Sequence, residues 1–141
     1  MSERQSSATT TTAAGPGDQR RWIPRWSRAV VQLIGRVGAD PDVRFASEAS
    51  GPAWARFRVA TEVPHGADDG PDWHTVIARD RLAQFAARYI TTGRLVHVIG
   101  WLTYRTVDAR DGSRVVAEIQ ASEVLLLDRP TPSQARDVPK P

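Results

Sequence analysis

The chain contains no cysteine, which removes disulfide scaffolds, Cys-based zinc sites and thiol catalysis together. Its longest apolar runs, around residues 95–102 and 124–127, fall far short of the roughly 18 residues that span a bilayer. No integral membrane protein is expected. Residues 1–17, rich in Ser, Thr and Ala, lack the apolar core of a secretory signal, so the cytoplasm is the expected compartment. Proline is missing from residues 72–129: six prolines lie at or before Pro71 and four from Pro130 onward. Lysine is nearly missing too, since eighteen of the nineteen basic residues are Arg.

What is present fits one modest domain: 141 residues, 15.5 kDa, 40% apolar, 25% charged and 7% aromatic. The net charge of +3 is carried at the front. Residues 1–28 hold five Arg against Glu3 and Asp18, whereas residues 29–100 and 101–141 are each balanced. An Arg-dominated basic set stacks on planar groups and forks onto phosphate, which suits a nucleic-acid partner. Genomic base composition produces the same bias, and both explanations stand at this point. The expected organisation is a flexible extension over 1–27, one domain over 28–129 and a disordered tail over 130–141, because neither end offers apolar periodicity to offset ordering entropy.

Within the domain the apolar pattern has period two except in one place. Residues 29–37 read as a strand, with Gly35 at a bend or bulge. Asp40-Pro41 then turns the chain. From 53 to 61 the alternation is strict: Ala55, Phe57, Val59 and Thr61 on one face, Trp54, Arg56, Arg58 and Ala60 on the other. The segment HGADDGPD (65–72) has turn composition, and 73–79 forms a third strand. Residues 80–92 break the pattern, with Leu82, Phe85, Ala86 and Tyr89 at helical spacing, Asp80 placed to cap and Gly93 at the C′ position. Residues 95–106 and 113–128 read as two more strands joined through Asp111-Gly112. The predicted fold is therefore all-β, a five-stranded OB barrel with one short helix between strands 3 and 4.

The outward parity carries the candidate site. It places Trp54, Arg56 and Arg58 on strand 2, Trp73, Thr75 and Arg79 with Ile77 on strand 3, and Trp101, Thr103, Arg105 and Val107 on strand 4. His74, Val76 and Ala78 face inward on strand 3, and Val98, Leu102 and Tyr104 take the opposite parity on strand 4. Three Trp and four Arg on one surface exceed what a water-facing sheet normally shows. Unpaired bases stack on indole for roughly 1 to 3 kcal/mol each, while Arg neutralises phosphates and releases counterions. The competing explanation is that some of these Trp are covered at a subunit interface.

A second cluster, RRWIPRWSR (20–28), interleaves four Arg with two Trp. It is open to three readings: an extension of the strand-binding track, contact with anionic lipid, or packing of Trp22 and Trp26 on the chain's own barrel. An enzyme is not expected. His65, His74, His97, Asp68, Asp69 and Asp72 are the only group with metal-site chemistry, two of the His fall within strands, and no nucleophile has an oriented base. No catalytic residue, cofactor or metal is predicted.

The segments LIGRVGADPDVRF (33–45), FRVAT (57–61), WHTVI (73–77), RLA (81–83) and GRLVHVIG (93–100), followed by Gly112, Glu118-Ile119 and LLLDR (125–129), resemble the bacterial single-stranded-DNA-binding protein family. The resemblance covers about residues 29–130. It implies an OB fold, sequence-independent binding and protection of single-stranded DNA in replication, recombination or repair, and no catalysis. It also implies a homo-oligomer, commonly a tetramer with a dimer as the alternative, in the cytoplasm with the nucleoid. Trp73 matches a base-stacking position of the family, whereas the others appear here as His65, Arg79 and Val107. Trp54 and Trp101 are the candidate replacements, with Arg79 stacking through its guanidinium plane. The family's acidic C-terminal tip has no counterpart in DVPKP (137–141), so recruitment of repair enzymes through such a tip is not expected. The alternative function is an OB module that holds RNA or docks proteins with weak DNA affinity.

Overall fold

Strict alternation of small or branched apolar residues with polar ones leaves a chain few ways to bury its apolar side other than by curling a sheet on itself. The computed structural model describes residues 22–63 and 70–129. Its elements are β1 (Val30–Val37), β2 (Asp42–Phe45), β3 (Pro52–Thr61), β4 (Asp72–Arg79), α1 (Asp80–Tyr89), β5 (Leu95–Ala109) and β6 (Gly112–Leu126). The strands pair in the order β1-β5-β6-β4-β3-β2, and β1 also pairs with β3. That last pairing closes a ring of five strands, as the sequence predicts, with all neighbours antiparallel except β4 and β6. The sixth strand, β2, lies outside the ring as a hairpin partner of β3.

Gly35 stands where β1 changes partners. Its neighbour Arg36 pairs with both Leu95 of β5 and Ala60 of β3. A Cβ at Gly35 would collide with the Ala60 carbonyl oxygen and the Val59 side chain, so only glycine lets the two strands meet. The β1–β5 register runs through Gly35 without a shift, which makes it a bend and not a bulge. Shifts occur instead at Arg44/Phe45 in β2 and at Ile99/Gly100 in β5.

The inward positions form the core, in which Val59, Val76, Val96, Val98 and Ile90 are fully buried. Each contributes roughly 1.5 to 3 kcal/mol of transfer free energy. Helix α1 packs on this core through Ala83 and Ala86, with Leu82 and Phe85 partly buried beside them. The contacting stripe is thus rotated onto the alanines, whose small side chains let the helix lie close to the barrel. Asp80 does not cap the helix: the N-cap is Arg79, no side chain bonds there, and Asp80 has a left-handed φ of +52°. The C-cap is Ile90, so Gly93 is not C′ but a left-handed residue of the following turn, with φ +86°. The β5–β6 turn is Arg110-Asp111, and Gly112 opens β6 with φ +116°.

One polar cluster around the buried Arg94 ties the end of β6 to the start of β5. Arg94 donates to both the Asp128 carboxylate at 3.1 Å and the Asp128 carbonyl at 3.0 Å, and the carboxylate also accepts from the Leu95 N–H and from Arg36. Burial pushes the Asp128 carboxyl up, but the Leu95, Arg94 and Arg36 donors outweigh it and hold the group below the usual carboxylate range.

Candidate nucleic-acid interface

On β3 and β4 the outward residues stand opposite one another in four rows: Trp54 with Arg79, Arg56 with Ile77, Arg58 with Thr75, and Ala60 with Trp73. Residues directly opposite share a face of the sheet. Trp54 and Trp73 therefore mark the two ends of one ladder, six residues or about 20 Å apart along β3. Arg56 and Arg58 lie between them. The Arg56 row continues in both directions, from Asp42 on β2 through Arg56, Ile77, Gln120 and Trp101 to Val30 on β1. This places Trp101 on the same outer surface, three strand spacings or roughly 14 Å round the barrel from Arg56.

Every indole on this surface is paired with a guanidinium. Arg44 and Arg56 lie 4.9 and 5.8 Å from the Trp54 ring centre, Arg58 lies 4.8 Å from that of Trp73, and Arg28 lies 5.8 Å from that of Trp101. Trp73 is 45% exposed and Trp101 36%, while Trp54 is half-buried. None of the three belongs to the core cluster.

Two cavities open on the ladder. One, of about 320 Å³, is lined by Arg44, Trp54, Arg56, Ile77, Arg79, Arg105 and Glu118. Its floor is Ile77, only 2% exposed despite its outward parity and outside the core cluster. Glu118 is buried and holds Arg105 through contacts of 2.9 to 3.3 Å. The hydrogen bond and charge of Glu118 raise the Arg105 pKa, and the same contacts hold the guanidinium in place at the rim. Four Arg against one Glu leave a surplus of positive charge suited to phosphate. The other cavity, of about 410 Å³, is lined by Gly38, Ala39, Asp40, Asp42, Arg56, Phe57, Arg58 and Trp73. Arg56 lines both.

The structure gathers most of the residues that alternation singles out. Trp54, Arg56, Arg79 and Arg105 share the first cavity, and Arg56, Arg58 and Trp73 share the second. Trp101 lines neither. Thr75 is half-buried beside Arg58, and the Thr103 hydroxyl is engaged, donating to the Glu118 carbonyl and accepting from Gln120. Val107 is half-buried on the distal part of β5, and Tyr104 is exposed there. Arg44, Gly38, Asp42 and Glu118 are additions. Arg44 and Asp42 sit on β2, whose four residues are too short for a period to declare itself, and Glu118 takes part because β6 meets β4 across a parallel pairing.

In the segment ahead of β1, Trp22 and Trp26 are 78% and 79% exposed, so the barrel does not cover them. Arg20, Arg21, His65, Asp68 and Asp69 lie outside the described residues. Among the described residues no cluster of three or more metal-ligating side chains occurs, and no helix is long and apolar enough to cross a membrane. His74 is engaged with the Thr61 hydroxyl at 2.8 Å.

The outer face of β1, β5 and β6 is different. Ile34, His97 and Leu125 stand in one row, and Gln32, Ile99 and Glu123 in the next. Ile34, Leu125 and Leu127 are exposed, and the buried Nε2 of His97 has no hydrogen-bond partner. On its edge away from β5, β1 pairs with β3 only at Arg36 and Val37, so residues 30–35 have no strand partner on that side among the described residues.

A closed five-stranded ring with a helix between its third and fourth strands defines an OB fold, and the aromatic and basic ladder lies on the second and third strands, the usual oligonucleotide face of that fold. The Single-strand binding protein family matches residues 29–127, and the chain belongs to that family. It is 34% identical over 103 residues to a single-stranded DNA-binding protein of Neisseria meningitidis, covering 69% of this chain and 58% of that protein. It is also 34% identical over 110 residues to one of Thermosynechococcus vestitus, covering 75% of this chain and 89% of that protein. The mitochondrial single-stranded DNA-binding protein of Drosophila melanogaster is 32% identical over 125 residues, covering 84% of this chain and 80% of that one. Among solved structures, a Plasmodium falciparum SSB in complex with ssDNA superposes with a TM-score of 0.62 at 26% identity, covering 75% of this chain and all of that one.

Proposed function

We propose that this chain binds and protects single-stranded DNA independently of sequence, holding it by stacking and by phosphate neutralisation, in replication, recombination or repair. The observation that carries the reading is the β3–β4 ladder, with Trp54 and Trp73 at its two ends and Arg56, Arg58 and Arg79 beside and between them. Bases lie against indole through their π-faces, which every base possesses, while the Arg side chains follow the backbone. Trp101, Thr103 and Arg105 continue the track onto β5, and Thr75 fills the sheet beside Arg58. The chemistry is binding alone: the named residues stack and pair, and none is set against a base that would activate it. The family membership and the ssDNA-bound structural relative support the same reading.

The chain works as a homo-oligomer in this reading, with residues 28–129 as the folded unit and the nucleoid as its place in the cell. Two features support self-association: the apolar row at Ile34 and Leu125, and the open edge of β1, which offers unpaired backbone groups to a second copy. A tetramer is the form that the resemblance implies.

Titration with oligo-dT, followed by Trp emission at several salt concentrations, tests the function. Strong quenching that weakens as salt rises is the expected result. Equal affinity for oligo-U would make the chain an RNA binder, and unchanged emission would leave protein docking as its role. Mass measurement in solution, with and without oligonucleotide, reads the subunit number.

A further inference from the structure

We infer that residues 22–28, ahead of the barrel, form a second contact for the DNA strand and take the nucleotides that run on past Trp101; this rests on the strand-binding reading above. The segment precedes residues 29–127, the part of the chain that matches the family. Its side chains repeat the chemistry of the β3–β4 ladder. Trp22 and Trp26 are 78% and 79% exposed, Arg25 and Arg28 stand beside them in sequence, and no Asp or Glu occurs anywhere from residue 19 to residue 39. Neither Arg25 nor Arg28 is ion-paired among the described residues. Indoles left open to water beside unpaired cations offer a base a ring to stack on and its phosphate a counter-charge.

Placement ties the segment to the track. The Leu102 N–H donates to the Ala29 carbonyl at 2.7 Å, so the pairing of β1 with β5 continues one residue ahead of Val30, whose partner is Trp101. Arg28 shares the outward parity of Val30, and its guanidinium lies 5.8 Å from the Trp101 ring centre. Beyond it the chain is held in a turn: the Ser27 N–H donates to the Pro24 carbonyl at 3.0 Å, and Arg28 Nη1 donates to the carbonyls of Arg25 and Ser27 at 2.9 and 2.8 Å. A segment already held in this way loses less freedom when a ligand settles on it. Those bonds use only Nη1, which leaves the rest of the guanidinium for a phosphate. Trp26 is three residues from Ala29, at most about 10 Å of chain, so its indole comes within reach of the nucleotide next to one on Trp101. A lipid surface suits the segment less well. Membrane-surface segments sort apolar and basic residues onto two faces of a helix, whereas residues 22–28 are not helical and interleave Trp with Arg around Pro24.

The test titrates the full chain and its Trp22→Ala/Trp26→Ala variant with labelled oligo-dT of increasing length, read by fluorescence anisotropy. On the shortest strands that bind, which the barrel track covers alone, the two proteins should agree within about twofold. As the strand lengthens they should diverge until the variant binds about tenfold more weakly, since one stacked base is worth roughly fivefold or more. Trp22→Phe/Trp26→Phe, which keeps two flat rings, should recover most of that loss. Equal affinity of wild type and Ala variant at every length overturns the inference while leaving strand binding on the barrel intact. A loss of the same size at every length, or a fall in subunit number by light scattering, overturns it as well, because the segment would then serve the barrel itself or a neighbouring copy. Sedimentation of the wild type but not the variant with phosphatidylglycerol vesicles, at equal strand affinities, would assign the segment to a membrane surface instead. No binding of any strand by the wild type overturns both readings.

Discussion

The barrel has two outer faces that begin from the same material and end in different chemistry. Both are made of alternating strands whose inward residues are mostly Val, Ile, Ala and Leu. On β3 and β4 the outward residues include Trp54, Arg56, Arg58, Trp73 and Arg79, and on β1, β5 and β6 they include Ile34, Ile99 and Leu125. The inward set fixes the fold and says little about use. The outward set differs between the two, and in the reading proposed above one surface holds a charged, flat-based polymer while the other, with its apolar row, meets another copy.

The two faces can be separated by substitution. Replacing Trp54 and Trp73 together by Ala removes both ends of the ladder; at roughly 1 to 3 kcal/mol per stacked base, oligo-dT affinity should fall by about a hundredfold or more, measured by fluorescence anisotropy. Trp73→Ala alone should cost more than Trp22→Ala, and equal losses would move the binding track to the exposed segment ahead of β1. Leu125→Asp, by contrast, should lower the subunit number in light scattering while each chain retains its oligonucleotide affinity within a few-fold. A loss of both at once would mean that the faces act as one. Arg79→Ala should weaken binding a few-fold and make the slope of log K against log salt shallower by about 0.7, the value for one phosphate on a single strand.

The smallest effect lies away from both faces. The Asp128 carboxyl titrates below its unfolded value, so the stability it contributes is complete above the unfolded pKa near 4 and is lost as pH falls through the lower folded value. Asp128→Asn should therefore flatten the fall of Tm below about pH 4, a difference of a few degrees by thermal scan, without changing oligonucleotide affinity at pH 7.

Much of this was legible from period two alone. The opposition of Trp54, Arg56 and Arg58 to Ala55, Phe57 and Val59 marks both the core and the outer ladder, and the helical spacing after Arg79 marks the one interruption. What escaped depends on neighbours distant in sequence. Ile77 shares the parity of Trp73 and Arg79 yet is buried, in a cavity also lined by side chains of β2, β3, β5 and β6. Arg44 and Asp42 complete the two cavities only because a four-residue strand folds back on β3. Asp80, placed by spacing to cap the helix, instead takes a left-handed conformation as β4 runs directly into α1.

The guanidinium groups lying over Trp54, Trp73 and Trp101 have a consequence for energetics. On the proposed binding track an arriving base would not land on bare indole; it would exchange with the occupant already there, or slide in to make a three-layer sandwich. An exposed cation–π contact is worth roughly 0.5 to 1 kcal/mol, so simple exchange leaves each stack a surplus of only about 1 or 2 kcal/mol. The displaced Arg is at the same moment freed for the phosphate next to that base. Grip on the ring and grip on the backbone would thereby be one concerted event, and a strand stripped of its charge should lose more than the electrostatic share.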